Sequence, residues 1–313
     1  MRIVIATRKS PLALWQAEHV KALLRAAHAG LEVVVSGMST EGDRRLGVPL
    51  SAVGGKGLFV KELEQAMLDG EADLAVHSMK DVPAELPNGF TLGAILTRAD
   101  PRDALVSHAR YSVATLPQGA RVGTSSLRRR TQLLAVRPDL RIVEARGNVG
   151  TRLSRLEDGS VDAIVLARAG LERLGLGHLA MQVLSVEESL PAGGQGALGI
   201  EARSDDVRVL ELIETLRDEV TTRCVVAERE VSRLLGAGCT MPLGAFAQQS
   251  ASGAIELRAC LADATGQRII RAVAVSDDAH IVGANVAEQL LRQGAREMIA
   301  LLSAGADRGA DQG

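Results

Sequence analysis

"LPAGGQGALGIEAR" (190–203) decides how this chain folds. Its "GQGALG" has the spacing of a dinucleotide fingerprint, in which G-x-G-x-x-G opens a helix over a pyrophosphate. Here the run continues into "GIEAR", which reads as a strand. The fingerprint is therefore rejected, and the segment reads as a glycine-rich crossing between α/β units. A partner crossing lies upstream at "RADPRD" (98–103), charged and interrupted by proline. The "GGKG" at 54–57 lacks the spacing of a phosphate loop and the Ser or Thr that follows its Lys.

Between and before these crossings, short β-rich runs alternate with helical patterns, which predicts α/β units with mainly parallel strands. "RIVIA" (2–6) reads as a buried strand, followed by a helix over 10–28 with Ser10 as N-cap and Pro11 at its first position. "LEVVVSGM", "ADLAVHS" and "TLGAILT" are further strands, and "GLFVKELEQAMLDG" (57–70) is an amphipathic helix. Past the first crossing, "RVGT", "RIVEA" and "AIVLAR" each lead into a helical pattern. Apolar residues then recur at helical spacing from 205 to 235, long enough that a break is expected near "EVTT" (219–222). The remainder reads as a small antiparallel sheet with helices, with "ADATGQ" (262–267) as a hairpin turn and the last residues as a disordered tail.

A chain of 313 residues has room for two or three cores, and 46% hydrophobic with 24% charged residues is ordinary for a soluble fold. No run approaches the roughly 18 apolar residues of a membrane span, so no membrane partner is expected. Arg8 and Lys9 interrupt any apolar leader core, and three Cys without an export signal fit reduced thiols and a cytoplasmic location. The basic residues are 31 Arg and five Lys, with every Lys in the first 80 positions. From 121 to 155 there are nine Arg against two acids, in a protein of net charge −2. Such a segment faces either solvent or an anionic partner.

Four loops share one place, the C-terminal end of a strand: "TRKS", "HSMKDVP", "GTSSLRRR" and "RGNVGTR". That edge of an open α/β sheet holds its ligand crevice, where helix N-termini add free N–H groups. The loops carry Arg8, Lys9, Ser10, Lys80, Thr124, Ser125, Ser126, Arg128, Arg129, Arg146 and Arg152, a set suited to gripping carboxylates or phosphates. Nucleic acid is disfavoured by the net charge and by only five aromatic residues, too few for a stacking platform. Asp81, among these cations, is either an ion-pair partner or a catalytic acid. His77 reads as structural. Cys224 lies on an apolar helical stripe and Cys260 in a strand pattern, so both read as packing residues; Cys239, in the turn "GAGCTMPLG" (236–244), is either structural or reactive.

In family order along nearly the whole chain, "ATRKSPLALWQ", "VGGKGLFVKELE", "AVHSMKDVP", "VGTSSLRR", "RGNVGTRL", "AGLERLGL", "GQGALGIE" and "GCTMPLG" resemble the porphobilinogen deaminases, also called hydroxymethylbilane synthases. The resemblance implies two periplasmic-binding-protein-like (type II) α/β domains, 1–96 completed by 197–216, and 102–191. A smaller α+β domain with an antiparallel sheet follows at 219–305, and then a disordered tail at 306–313. It implies joining of four porphobilinogen molecules head to tail, with release of ammonia, into hydroxymethylbilane. The primer is a covalent dipyrromethane cofactor, one per chain, held by a thioether to Cys239. Each ring carries an acetate and a propionate, which accounts for the cationic loops. By the same resemblance Asp81 is the catalytic acid, and Arg8, Ser10, Lys80, Thr124, Ser125, Ser126, Arg128, Arg129, Arg146, Gly147 and Arg152 bind carboxylates. Gln16, Lys56 and Arg173 join them as further candidates. No metal is expected, and the chain is expected to be a monomer. Ala52 and Ala237 depart from the family's usual Lys and Gly. A fixed anchor with one site for every addition implies hinges near 97–102 and 191–197. Two other readings stay open, a two-lobed anion-binding sensor and a nucleic-acid binder, the latter marked by steeply salt-dependent DNA binding.

Overall fold

Each crossing delivers a strand into the sheet of the other lobe. The computed structural model describes residues 1–40, 60–238 and 241–310, with side chains up to residue 304 in the last helix. The first sheet holds β1 (Arg2–Arg8), β2 (Glu32–Met38), β3 (Leu74–Ser78), β4 (Phe90–Ile95) and the returning β10 (Leu198–Arg203), in the order β2-β1-β3-β10-β4. The second holds β5 (Asp103–Ser107), β6 (Arg121–Gly123), β7 (Arg141–Val143), β8 (Ala163–Ala167) and β9 (Gln182–Val183), in the order β7-β6-β8-β5-β9. Both sheets repeat one pattern: second strand, first, third, incoming strand, fourth. This is the type II periplasmic-binding-protein-like arrangement expected from the sequence. The expectation of mainly parallel strands holds for four of the five strands in each sheet; the exception in each is the incoming strand, β10 or β5, antiparallel to both its neighbours. A strand entering from the opposite lobe runs against the strands already there.

Glycine makes the crossings possible. Gly196 has φ +91, and a Cβ there would meet the Ala99 carbonyl oxygen at 2.5 Å. At Gly194, φ +74, a Cβ would meet that of Met79 at 2.7 Å. The glycines of "GGQG" thus let one crossing lie against the other and against the turn after β3, a use of close backbone approach unrelated to any dinucleotide.

The apolar pattern in each lobe follows the sheet. Ile3, Ile5, Leu74, Val76, Leu198 and Ile200 meet α1 (Pro11–Ala27) on one face of the first sheet. On its other face, Ala6 and Ala75 meet Leu63 and Met67 of α2 (Lys61–Leu68). In the second sheet Leu105, Val122 and Val165 point one way and Val106, Ile164 and Leu166 the other, toward α3 (Leu127–Val136) on the first side and α4 (Val149–Glu157) and α5 (Arg168–Arg173) on the second. Each such side chain is worth about 1.5–3 kcal/mol of burial.

The long helical pattern breaks where expected, into α6 (Val207–Glu214) and α7 (Glu219–Leu235). Asp218 caps the second helix by accepting from Thr221 N at 2.8 Å, and Gly236 ends it at φ +62. With α8 (Ala279–Arg292), α7 covers a three-stranded antiparallel sheet of β11 (Leu243–Gln249), β12 (Ile255–Ala262) and β13 (Ile269–Ser276). Asp263 organises the predicted hairpin by accepting from Thr265 N and Gly266 N. The last helix, α9 (Ala295–Ala310), covers residues 306–310 of the segment read as a disordered tail.

A fully buried carboxylate joins this third unit to the crossings. Glu228 of α7 accepts from Arg98 Nη1 at 2.6 Å, Gly194 N at 2.6 Å and Ala247 N at 2.7 Å, while Arg98 Nε donates to the Gln195 carbonyl. Both crossings and β11 are therefore bonded to one side chain.

Candidate active site

Three of the four cationic loops gather at the strand ends as the sequence predicts, and the fourth turns inward. After β1, Ser10 caps α1 by accepting from Ala13 N at 3.3 Å. Gln16, buried on that helix, donates to Ser78 Oγ at 2.8 Å, which ties the first loop to the end of β3. There a 3₁₀ turn, Met79–Asp81, follows, with Met79 buried beneath it and Asp81 exposed. Arg8, Ser10, Gln16, His77, Ser78 and Asp81 line one cavity. Arg229 of α7 fixes the chain beyond Asp81, donating to the carbonyls of Val82, Pro83 and Ala84 at 2.8–3.2 Å.

Across from this, Ser126 caps α3 by accepting from Arg129 N at 3.4 Å, Thr124 Oγ1 accepts from Ser126 N at 3.2 Å, and Ser125 Oγ donates to the Ala145 carbonyl. In the next loop Gly147 has φ +96 and its carbonyl accepts from Arg152 Nε at 2.9 Å. Arg146 donates to Glu144. Arg173 ends α5, where it donates to the Gly196 carbonyl at 2.7 Å and lies 5.8 Å from the Trp15 ring centre.

Arg128 and Arg129 are the inward pair. Both are about 95% buried, and both are anchored on Asp103, which has no exposed surface. Arg128 Nη2 donates to Asp103 Oδ2 at 2.8 Å, and Arg129 Nη2 to Oδ1 at 2.8 Å. Arg128 Nη1 reaches the Leu190 carbonyl at 2.6 Å, Arg129 Nη1 that of Val165 at 3.0 Å, and Gln195 and Ser189 complete the shell of Asp103. The loop sequence gives no sign of this. The signal lies 25 residues upstream, where Asp103 is a lone acid at the head of the apolar strand "DALVS".

Burial lowers the Lys80 pKa to about 8; Asp81 and Asp103 favour its charged form, and Arg129 and Arg152 oppose it. Arg152 is lowered to about 10, by burial and then by Arg129, with Arg146 adding to the effect. For Asp103, burial pushes the carboxyl up, but Arg128 and Arg129 together hold it well below the usual range. Burial is the first cause of both cation shifts, and Lys80 and Arg152 both feel the charge of Asp81.

Lys56, Cys239 and Ala52 lie outside the described residues. Ala237 is buried in the C-terminal core. Cys224 and Cys260 are buried free thiols, and burial raises the pKa of each, that of Cys224 to about 11. A thiol so raised is a poor nucleophile. Among the described residues no group of His, Cys, Asp and Glu has the arrangement of a metal site, and no helix is long and apolar enough to cross a membrane.

Two α/β lobes of the same strand order, with cationic side chains and the exposed Asp81 at their strand ends, define a two-lobed α/β protein. Family models extend this description. Residues 3–211 match porphobilinogen deaminase, dipyromethane cofactor binding domain, and residues 222–292 match porphobilinogen deaminase, C-terminal domain. The porphobilinogen deaminase of Thiobacillus denitrificans is 53% identical over 304 residues, 96% of this chain and 99% of that one. That of Xanthomonas euvesicatoria pv. vesicatoria is 53% identical over 300 residues, 95% and 98% of the two chains. Among solved structures, the second substrate-binding domain of a putative amino acid ABC transporter from Streptococcus pneumoniae aligns with TM-score 0.44 and 13% identity, covering 69% of this chain and 91% of that one. The chain belongs to the porphobilinogen deaminase family.

Proposed function

We infer that the chain joins four porphobilinogen molecules head to tail, with release of ammonia, to give hydroxymethylbilane on a dipyrromethane cofactor. The observation that carries this is the placement of Lys80 and Arg152 within reach of Asp81's charge, beside a cavity that Arg8 and Asp81 line, read with family membership over nearly the whole chain. Each pyrrole brings two carboxylates, so a growing chain needs many cations. Arg8, Lys80, Arg146 and Arg152, with Ser10, Thr124, Ser125, Ser126 and the Gly147 backbone, are the proposed grip. Gln16 and Arg173 flank it. Arg128 and Arg129 set the wall behind it through Asp103, so a ligand carboxylate reaches them only by competing with Asp103 and the carbonyls they already bind.

Dipyrromethane, when bound, supplies the pyrrole carbon from which the chain grows. Cys239 is its proposed anchor, since the other two thiols are buried and raised in pKa. The exposed Asp81 carboxylate stabilises the cation left as the amine departs, an effect of placement in a site already built for charge. The three-domain division at 1–96 with 197–216, 102–191 and 219–305 is supported by the separate apolar clusters. Porphobilinogen as the only partner, a monomeric state and a cytoplasmic location complete the proposal.

Two measurements test it. Asp81→Asn is expected to lower kcat by roughly 100-fold or more with an unchanged circular dichroism spectrum and melting temperature; near-normal turnover would remove Asp81 from the chemistry. Intact-protein mass spectrometry with peptide mapping is expected to find the cofactor mass on the Cys239 peptide. An unmodified Cys239 in fully active protein would overturn the anchor.

A further inference from the structure

Asp81 is exposed, yet the backbone that presents it is held from both sides. On one side Met79 opens the 3₁₀ turn at 1% exposure, its N–H donating to the Ala197 carbonyl at 3.0 Å. On the other side the chain leaves the turn extended at Val82, whose N–H donates to the Met79 carbonyl at 3.2 Å. Pro83 favours that extended geometry and brings no N–H of its own. The carbonyls of Val82, Pro83 and Ala84 then all accept from one side chain, Arg229, at 3.2, 2.8 and 3.0 Å.

Arg229 comes from α7, in the unit built on α7, α8 and the three-stranded sheet. Thr221, Val225, Glu228 and Arg229 follow one another at helical spacing, so they form one stripe of that helix. Thr221 Oγ1 accepts from Arg98 N at 3.1 Å, and Val225, with no exposed surface, packs with Met79 and Val82. Glu228 takes the crossings and Arg229 the turn. One face of α7 is therefore the backing of the segment that presents Asp81. A guanidinium suits this place because its planar fork of donors spans successive carbonyls, whereas an ammonium offers its donors from a single point.

We propose that Arg229 is a positioning residue for the condensation. Through the backbone of residues 82–84 it sets where the Asp81 carboxylate stands against the transient cation. The inference rests on the proposed condensation and on Asp81 acting in it. Val225 holds the turn laterally through its contacts with Met79 and Val82, and the Arg229 bonds fix the rotation of the peptide units just beyond the acid. A turn released on that side can shift its carboxylate, and a misplacement of about 1 Å costs on the order of 100-fold in rate. The helix that precedes the proposed cofactor anchor in sequence thus also fixes the acid.

The experiment measures kcat and KM for porphobilinogen on cofactor-loaded protein verified by intact mass. It compares wild type, Arg229→Met, Arg229→Lys, Asp81→Asn and the double variant of Arg229→Met with Asp81→Asn. Arg229→Met keeps the stem and removes the donors. It is expected to lower kcat roughly 10- to 100-fold, with KM held within about threefold and the cofactor still loaded. Arg229→Lys should recover part of that loss. In the Asp81→Asn background, Arg229→Met should cost less than about threefold further, because the group it positions is gone. A full further loss there overturns the positioning role, as does a raised KM with unchanged kcat or a loss explained by missing cofactor. In wild-type holoenzyme, amide hydrogen exchange should be slow across 79–86; exchange there at the rate of free chain overturns the brace whichever variants fold. Arg229→Met with wild-type kcat also overturns it. If that occurs while Asp81→Asn is inactive, the condensation reading stands without the brace.

Discussion

At the scale of the single residue, Lys80 shows how the site's charge is set by surroundings. Its amine, with a pKa lowered to about 8 chiefly by burial, is a full cation only below that pH. Carboxylate binding is therefore expected to weaken as pH rises through about 8, seen as a rising KM for porphobilinogen. Lys80→Arg should flatten this dependence, because guanidinium keeps its charge. The sign for stability is the opposite one. Between the folded value and 10.5 the unfolded chain binds more protons than the folded one, so the contribution of Lys80 to stability rises with pH across that window. Proton uptake on adding substrate near pH 8, measured by calorimetry in buffers of different ionisation enthalpy, checks the same coupling.

At the scale of the element, the crossing at 190–203 behaves as a folded contact surface. Gly196→Ala would place a Cβ at 2.5 Å from the Ala99 carbonyl while holding an L-residue at φ +91. A loss of at least about 2 kcal/mol in urea unfolding is expected, since positive φ and a backbone clash add. Gly236→Ala supplies the comparison: its φ is +62 but nothing lies within 4 Å of the added Cβ, so about 1 kcal/mol is expected there. The helices were readable because their ends are written locally. Ser10, Ser126, Asn148 and Asp218 all accept backbone bonds at the starts of helices. Strand direction has no comparable local mark, and β5 and β10 are antiparallel through the topology of the crossings.

At the scale of the whole molecule, Glu228 links the two crossings to the unit built on α7, α8 and the three-stranded sheet. Glu228→Gln or Glu228→Ala would leave Arg98 buried without its partner charge. A loss of about 3–5 kcal/mol is expected, with the double change Arg98→Met and Glu228→Leu costing less than the sum of the single ones. Chemical denaturation checks both. A cleft built from two lobes depends on this joint, because its cations belong to different sheets and meet only when the crossings are held together.

The sequence by itself determined the two crossings, the helix starts, the break before α7, the separate antiparallel sheet and the cationic strand ends around Asp81. Those features rest on short-range signals: hydrophobic period, capping side chains, glycine and proline. Tertiary structure alone decided that Arg128 and Arg129 turn inward to Asp103, that Arg98 and Glu228 pair at the joint, and that His77, read as structural, sits against Glu201 at the edge of the site. Each of these depends on side chains brought together from positions 25 to 130 residues apart. Burial and charge at such positions follow from which strands become neighbours, and no local pattern encodes that.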